Sequence, residues 1–297
     1  MLLSKFKIFL YSFVAFFYIS IVNAQDTISH NGVVGLVYKD IAYKSADNLS
    51  PYEVERCKLD VYLPVKHLKS IPVLIFFHGG GLVSGDKEEG WTDWSNNFGY
   101  EFLKRGVAIV SVNYRLSGPK AKWPDYLNDA AAAVVWVSKN IKNYGGSPNA
   151  IFVSGYSAGG YITHMLSVDA QWYKNIGFND GVICGYIPMS GQTREHANLA
   201  TDLGVNKSEL STTYKNVMPL GNISKSKSPI FIITGGNEGQ TVIDNKNYYD
   251  LLKDAGNTAF FYIEPGKNHI EMRDSLGDSV SIAREKIVEF INGFKKD

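Results

Sequence analysis

Apolar residues in this chain gather in short runs separated by longer stretches of mixed polarity, and the spacing within each segment indicates its geometry. Residues 33–43 and 54–63 alternate apolar with polar positions, as half-buried strands do. In the second, Cys57, Leu59 and Val61 interleave with Val54, Arg56, Lys58 and Asp60. Apolar runs at 71–77, 107–112, 151–153, 182–189, 230–234 and 260–264 predict strands buried on both faces. Helical stretches are expected at 91–104, 126–142, 158–166, 242–255 and 280–294. Strand alternating with helix predicts an α/β domain with a mostly parallel sheet of about eight strands and helices on both faces. Residues 192–228 break the rhythm with polar, Gly- and Ser-containing sequence. They are expected to form a small cap, because long excursions in compact domains are usually functional. No linker divides the chain, so 25–297 reads as a single domain.

The first 24 residues follow a different logic. Lys5 and Lys7 form a short basic region, 8–22 is almost entirely apolar, and Val22-Asn23-Ala24 places small residues where a signal peptidase reads. This predicts a signal peptide over 1–24, cleavage before Gln25, a periplasmic or extracellular protein and no lasting membrane anchor, the run being short for a span. A net charge of +1 gives no reason to expect a nucleic-acid partner. Oligomeric state leaves no mark on the composition.

Two motifs carry chemistry. The run Ala150-Ile151-Phe152-Val153 leads into Gly155-Tyr156-Ser157-Ala158-Gly159, and helix-permissive sequence follows. Strand, G-x-S-x-G, helix is the context in which a serine is held in a strained turn, its hydroxyl exposed beside a helix N-terminus. Upstream, the run at 71–77 ends in His78-Gly79-Gly80-Gly81. Three successive glycines cost backbone entropy, and they make sense where amides must approach a ligand closely.

With these motifs the chain resembles an α/β hydrolase of the HGGG esterase and lipase group. It is most similar to the small branch with acetylxylan- and feruloyl-esterase-like enzymes and arylformamidases. Further markers are Val112-Asn113-Tyr114-Arg115-Leu116, Trp123-Pro124 with Asp129, Ser190-Gly191 and a late His269. The resemblance implies Ser157 as nucleophile and the amides of Gly80, Gly81 and Ala158 as an oxyanion hole. His78 braces the loop, and Asp129 has a structural task near the Tyr114-Arg115 turn. The fold's order of nucleophile, acid, histidine selects His269. The other histidines lie too early (His30, His67), on the helix after the nucleophile (His164) or in the cap (His196). The acid is either Glu238, where relatives most often carry Asp, or Asp244 six residues later. In the implied fold Cys57 and Cys184 fall on strands near opposite ends of the sheet. They are therefore expected as two separate thiols, since a disulfide needs Cα atoms within about 7 Å.

No metal or cofactor is implied; the partner is a small-molecule ester. Leu82, Val83, Trp91 and Trp94 are candidates for the acyl side, and Gln192, Arg194, His196 and Tyr214 for a hydroxylated alcohol. Leu82 stands where relatives often have Trp or Phe. Short-acyl or polyhydroxylated esters are the expected substrates. Arylformamidase-type amide hydrolysis, lactone or macrolide hydrolysis and a non-catalytic binding role are the alternatives.

Overall fold

In a computed structural model, residues 26–296 are described except 31, 46, 66–69, 89–97 and 195–196. The expected signal peptide 1–24 lies outside the described residues, as do His67, Trp91, Trp94 and His196. Nine strands form one sheet: β1 (Asp26–His30), β2 (Val33–Ala42), β3 (Lys58–Pro64), β4 (Ile71–Phe77), β5 (Ala108–Val112), β6 (Gly146–Tyr156), β7 (Ile183–Met189), β8 (Ile230–Gly235) and β9 (Ala259–Glu264). Their order is β1-β2-β3-β5-β4-β6-β7-β8-β9. The pairs from β1 to β5 are antiparallel, and from β5 through β4 to β9 every pair is parallel.

The parallel half is built from the apolar runs. Every residue of β4 and of β7 is buried, as expected of strands covered on both faces. Helices Asp125–Asn140, Ala158–Val168 and Gln240–Asp254 contribute Val134, Ile162 and Tyr248 to a core with Val73, Ile75 and Val153. Helices Phe98–Lys104 and Ile282–Phe294 place Phe102, Ile287 and Phe290 in a second core with Leu74, Phe76 and Phe152. Each fully buried aliphatic side chain contributes roughly 1.5–3 kcal/mol.

Three features differ from the pattern-based expectation. β1 is a ninth strand, hairpinned onto β2 through Gly32. It has no buried residue, so no apolar run announces it. The strand expected at 54–63 begins only at Lys58, because Pro51–Arg56 is a helix. Ser50 Oγ accepts from Glu53 N, the Glu53 carboxylate accepts from Ser50 N, and Pro51 opens the first turn; that capping box overrides the alternation. The expected polar cap at 192–228 is largely helical, with Ala197–Leu203, Lys207–Thr212 and two short 3-10 turns at Lys215–Val217 and Pro219–Asn222. Leu199, Leu210, Val217 and Met218 are buried in the main core, so these residues are fastened to the domain.

Cys57 and Cys184 are both buried free thiols. Cys57 sits just before β3 and Cys184 on β7, with β5, β4 and β6 between those strands. Among the described residues no helix is long and apolar enough to cross a membrane.

His164, fully buried on Ala158–Val168, lies 3.2 Å through Nε2 from Asn245 Oδ1 and edge-on to Tyr248. Burial lowers its pKa to about 3. The folded protein therefore keeps His164 neutral while the unfolded chain protonates it near pH 6.5. Its stabilising contribution is complete above about pH 6.5 and is lost as the pH falls towards about 3, with a slope of at most about 1.4 kcal/mol per pH unit. Urea unfolding from pH 7 to 4.5 should show this decline, and His164→Gln, which cannot titrate, should show a shallower one. Equal slopes would refute the assignment.

Candidate active site

Ser157 occupies the single residue between β6 and the helix Ala158–Val168, at φ 55° and ψ −113°. A non-glycine residue there costs on the order of 1–3 kcal/mol and persists only where its surroundings enforce it. The Ser157 amide donates to Met189 O at 2.9 Å, and its carbonyl accepts from Tyr161 N at 2.9 Å. The helix is also pressed against the end of β4. A Cβ on Gly159 would stand 2.0 Å from Phe77 O, and one on Gly155 would stand 2.3 Å from Gly159 O. Side chains at either position would push the turn apart.

Two neighbouring strands supply what faces the serine. The loops after β8 and β9 are tied together by Gly236 N to Glu264 O, Asn237 N to Lys267 O and Asn237 Nδ2 to Gly266 O, each 2.8 Å. Asn268 then caps a short helix, His269–Ser275, through a reciprocal capping box with Glu271. His269 is thus the first residue of a helix, not a loop residue as its sequence suggested. The Tyr156 hydroxyl donates to the His269 carbonyl, and the two rings lie 4.9 Å apart. In this setting His269 Nδ1 is 2.8 Å from Glu238 Oε2, and Nε2 is 3.0 Å from Ser157 Oγ.

The Glu238 side chain is 1% exposed, and a buried carboxylate needs partners. Its second oxygen accepts from the Gly235 amide at 2.6 Å and the Ser190 hydroxyl at 2.5 Å. Ser190 is itself fully buried at φ 48°, held by its amide to Ile233 O at 2.8 Å. The sequence marked Ser190-Gly191 without assigning a task; the grip on the longer glutamate side chain is that task. Asp244 is elsewhere. It lies within the helix Gln240–Asp254 and pairs with Arg194 Nε at 3.1 Å and Gln240 Nε2 at 2.9 Å. It does not join His269, because the intervening residues carry it into a helix that leaves the strand edge.

The glycine loop lies against the elbow: a Cβ on Gly79 would be 3.4 Å from Ser157 Cβ. Gly80, Gly81 and Leu82 follow at φ 93°, 64° and 69°. At Gly80 any side chain would collide with Ser84 O at 2.2 Å, since Val83 N and Ser84 N close the turn onto Gly80 O. Among the described residues the amides of Gly80 and Gly81 have no intramolecular acceptor. The loop's base is braced from below. Tyr114 stacks on His78 at 4.3 Å and donates its hydroxyl to His78 O at 2.8 Å. Burial lowers the His78 pKa to about 4, so the neutral ring donates from Nδ1 to Gly79 O at 2.9 Å. Buried Asp129 accepts from Arg115 N, Nε and Nη2 at 3.0, 2.8 and 2.8 Å and so fixes the Tyr114-Arg115 turn.

The expected substrate residues fare unevenly. Leu82 is fully buried in the main core and lines no open surface, because its left-handed backbone turns the side chain inward; Val83 is the exposed neighbour. Gln192 is partly buried, and its Oε1 has no donor among the described residues. Tyr214 packs partly buried against the core. Trp91 and His196 are outside the described residues. Among the described residues no three His, Cys, Asp or Glu side chains converge as a metal site requires.

The sheet order and the elbow define an α/β hydrolase. A truncated carbohydrate esterase from gut microbiota superposes with a TM-score of 0.71 at 20% identity, covering 93% of this chain and 99% of that one. The isoprenylcysteine alpha-carbonyl methylesterase of Arabidopsis thaliana is 24% identical over 265 residues, which make up 82% of this chain and 61% of that protein. A probable carboxylic ester hydrolase of Mycobacterium tuberculosis is 25% identical over 209 residues, 65% of this chain and 47% of that protein. The chain thus spans less than two thirds of the length of these two relatives. Residues 59–248 match the BD-FAE family model, and the chain belongs to that family.

Since only Glu238 touches His269, Glu238→Gln should lower turnover of a nitrophenyl acetate by about a thousandfold or more, the scale of a lost triad carboxylate. Asp244→Asn should change it by less than about threefold, within the range of ordinary surface effects. Stopped assays on folded variants decide the ranking, and a reversed order would transfer the role to Asp244.

Proposed function

We propose that the protein is an exported serine ester hydrolase acting on short-acyl or polyhydroxylated esters. The observation that carries this reading is the continuous line of hydrogen bonds from Glu238 through His269 to Ser157 Oγ, beside a loop with two unengaged amides. A serine hydroxyl is a weak nucleophile until a neighbouring base takes its proton. His269 Nε2 is placed to do so, and Glu238 holds the Nδ1 proton and stabilises the imidazolium that forms.

Attack of Ser157 Oγ on the ester carbonyl forms a tetrahedral intermediate whose oxyanion takes hydrogen bonds from the Gly80, Gly81 and Ala158 amides. Ala158 opens the helix, where partial positive charge adds to the effect. Imidazolium Nε2–H protonates the departing alkoxide, the C–O bond breaks, and an acyl-serine remains. Water then gives a proton to His269 and adds to the acyl carbon; collapse returns the proton to Ser157 Oγ and releases the acid.

Substrate class rests on the segment over the site. Leu199, Leu210, Val217 and Met218 point into the core, which leaves no broad apolar lid for a long acyl chain. Gln192 offers a buried acceptor that a substrate hydroxyl could satisfy. The likeness to a carbohydrate esterase agrees with a hydroxylated alcohol portion. Export rests on the basic, apolar and small-residue order of 1–24.

Ser157→Ala should leave a folded protein with ester hydrolysis lowered by several orders of magnitude, about the loss expected for a triad serine, and should abolish labelling by an organophosphonate. Persistent labelling would exclude Ser157 as nucleophile. Across acyl chains from acetyl to palmitoyl, kcat/KM should peak among the short chains. A maximum at long chains with activation at a lipid interface would make the enzyme a lipase.

A further inference from the structure

The loop carrying Gly80 and Gly81 passes through three consecutive left-handed residues, the third of them leucine. Glycine adopts that conformation freely, but Leu82 does not, and only surrounding contacts keep it there. Two successive carbonyls of this stretch are held from outside. Asn198 Nδ2 donates to Gly81 O at 2.5 Å, and Ser117 N donates to Leu82 O at 2.7 Å.

Both contacts lead to the helix Ala197–Leu203. Asn198 lies on it, and Asp202, one turn further along the same face, organises the other contact. The Asp202 carboxylate accepts from Ser117 Oγ, from Trp123 N at 3.1 Å and from Tyr126 OH at 3.2 Å. It fixes the residue whose amide holds Leu82 O and ties the helix to the start of Asp125–Asn140. Leu199, on the same helix, is fully buried in the main core.

We infer that Asn198 and Asp202 are positioning residues for the oxyanion hole, so that the segment at 192–228 helps assemble the catalytic loop besides covering the site. The physical link is direct. With Gly81 O captured, the φ and ψ of Gly81 are fixed, and with them the directions of the Gly80 and Gly81 amides. Releasing that carbonyl lets the strained turn relax away from the geometry an oxyanion needs. Misdirected donors weaken only the transition state, where charge develops, so the loss should fall on kcat. This inference rests on the proposed ester hydrolysis at Ser157.

The test uses the full chain and pairs a carboxylic ester with its thionoester. Sulfur is a poorer acceptor on a longer bond, so a well-aimed hole favours the oxygen ester and a misdirected one discriminates less. Asn198→Ala should lower kcat on the oxygen ester by about ten- to a hundredfold, less than complete loss of a donor, with KM within about twofold. The oxygen-to-sulfur rate ratio should shrink in step. Asn198→Asp, which sets a carboxylate against Gly81 O, should be slower than Asn198→Ala at pH 8. If Asn198→Ala does not yield folded protein, Asn198→Ser carries the same test. An unchanged oxygen-to-sulfur ratio, a rise in KM alone, or rates that merely track thermal stability would overturn the inference. Wild-type labelling by a phosphonate, absent in Ser157→Ala, would in those cases leave the ester-hydrolase reading standing. A wild type that neither hydrolyses esters nor takes the phosphonate would overturn both.

Discussion

Holding Ser157 in its left-handed turn requires the ends of three strands to meet. The turn follows β6, its helix presses on the last carbonyl of β4, and its amide is anchored to the last residue of β7. Because β4 and β7 flank β6 in the sheet, the loops that leave them are delivered to either side of the serine. From β4 comes the glycine loop and from β7 comes Ser190. Further out in the same order, β8 supplies Glu238 and β9 supplies His269. Parallel strands end on one edge, and the sheet order therefore sets which chemistry stands beside which.

A glutamate where related chains most often place aspartate changes the demands on its surroundings. The longer side chain has one more rotatable bond, and rotamer freedom must be suppressed if the carboxylate is to stay on Nδ1 of His269. Gly235 N and Ser190 Oγ, both on the same carboxylate oxygen, do that while satisfying a charge removed from water. The backbone ties between the β8 and β9 loops keep donor and acceptor in register. The burial that makes this arrangement costly also makes it rigid, since a carboxylate in low dielectric has few alternative partners.

The residues over the site repeat this economy of contact. Asp202 and Asn198 take polar partners from segments far away in sequence, while Leu199 between them goes into the core. One short helix thus faces three ways. A stretch that reads as polar punctuation is fastened by side chains whose partners lie about 75 to 120 residues away.

Much of the architecture was legible because burial imposes a period. The runs at 71–77 and 230–234 match β4 and β8 closely, and the glycine loop and elbow announced themselves by residues that only close backbone approach explains. The Ser50-Glu53 capping box with Pro51 was also readable locally, yet the alternation through Val54 and Arg56 concealed it. β1 left no trace, since an exposed edge strand needs no apolar face. The choice between Glu238 and Asp244 could not be made from spacing, because it depends on where the β8 loop ends and its helix begins, and on a histidine 31 residues further on. Ser190, Asn198 and Asp202 carry no local signal at all: each is a common polar residue whose partner is brought to it by the sheet order or by a packed helix. The sequence by itself determined which strands would be buried and which serine, histidine and glycines would carry chemistry, since those demands act on neighbours along the chain. Only the tertiary structure decided which carboxylate faces His269 and what holds the oxyanion loop, since hydrogen bonds between distant segments are set by folding alone.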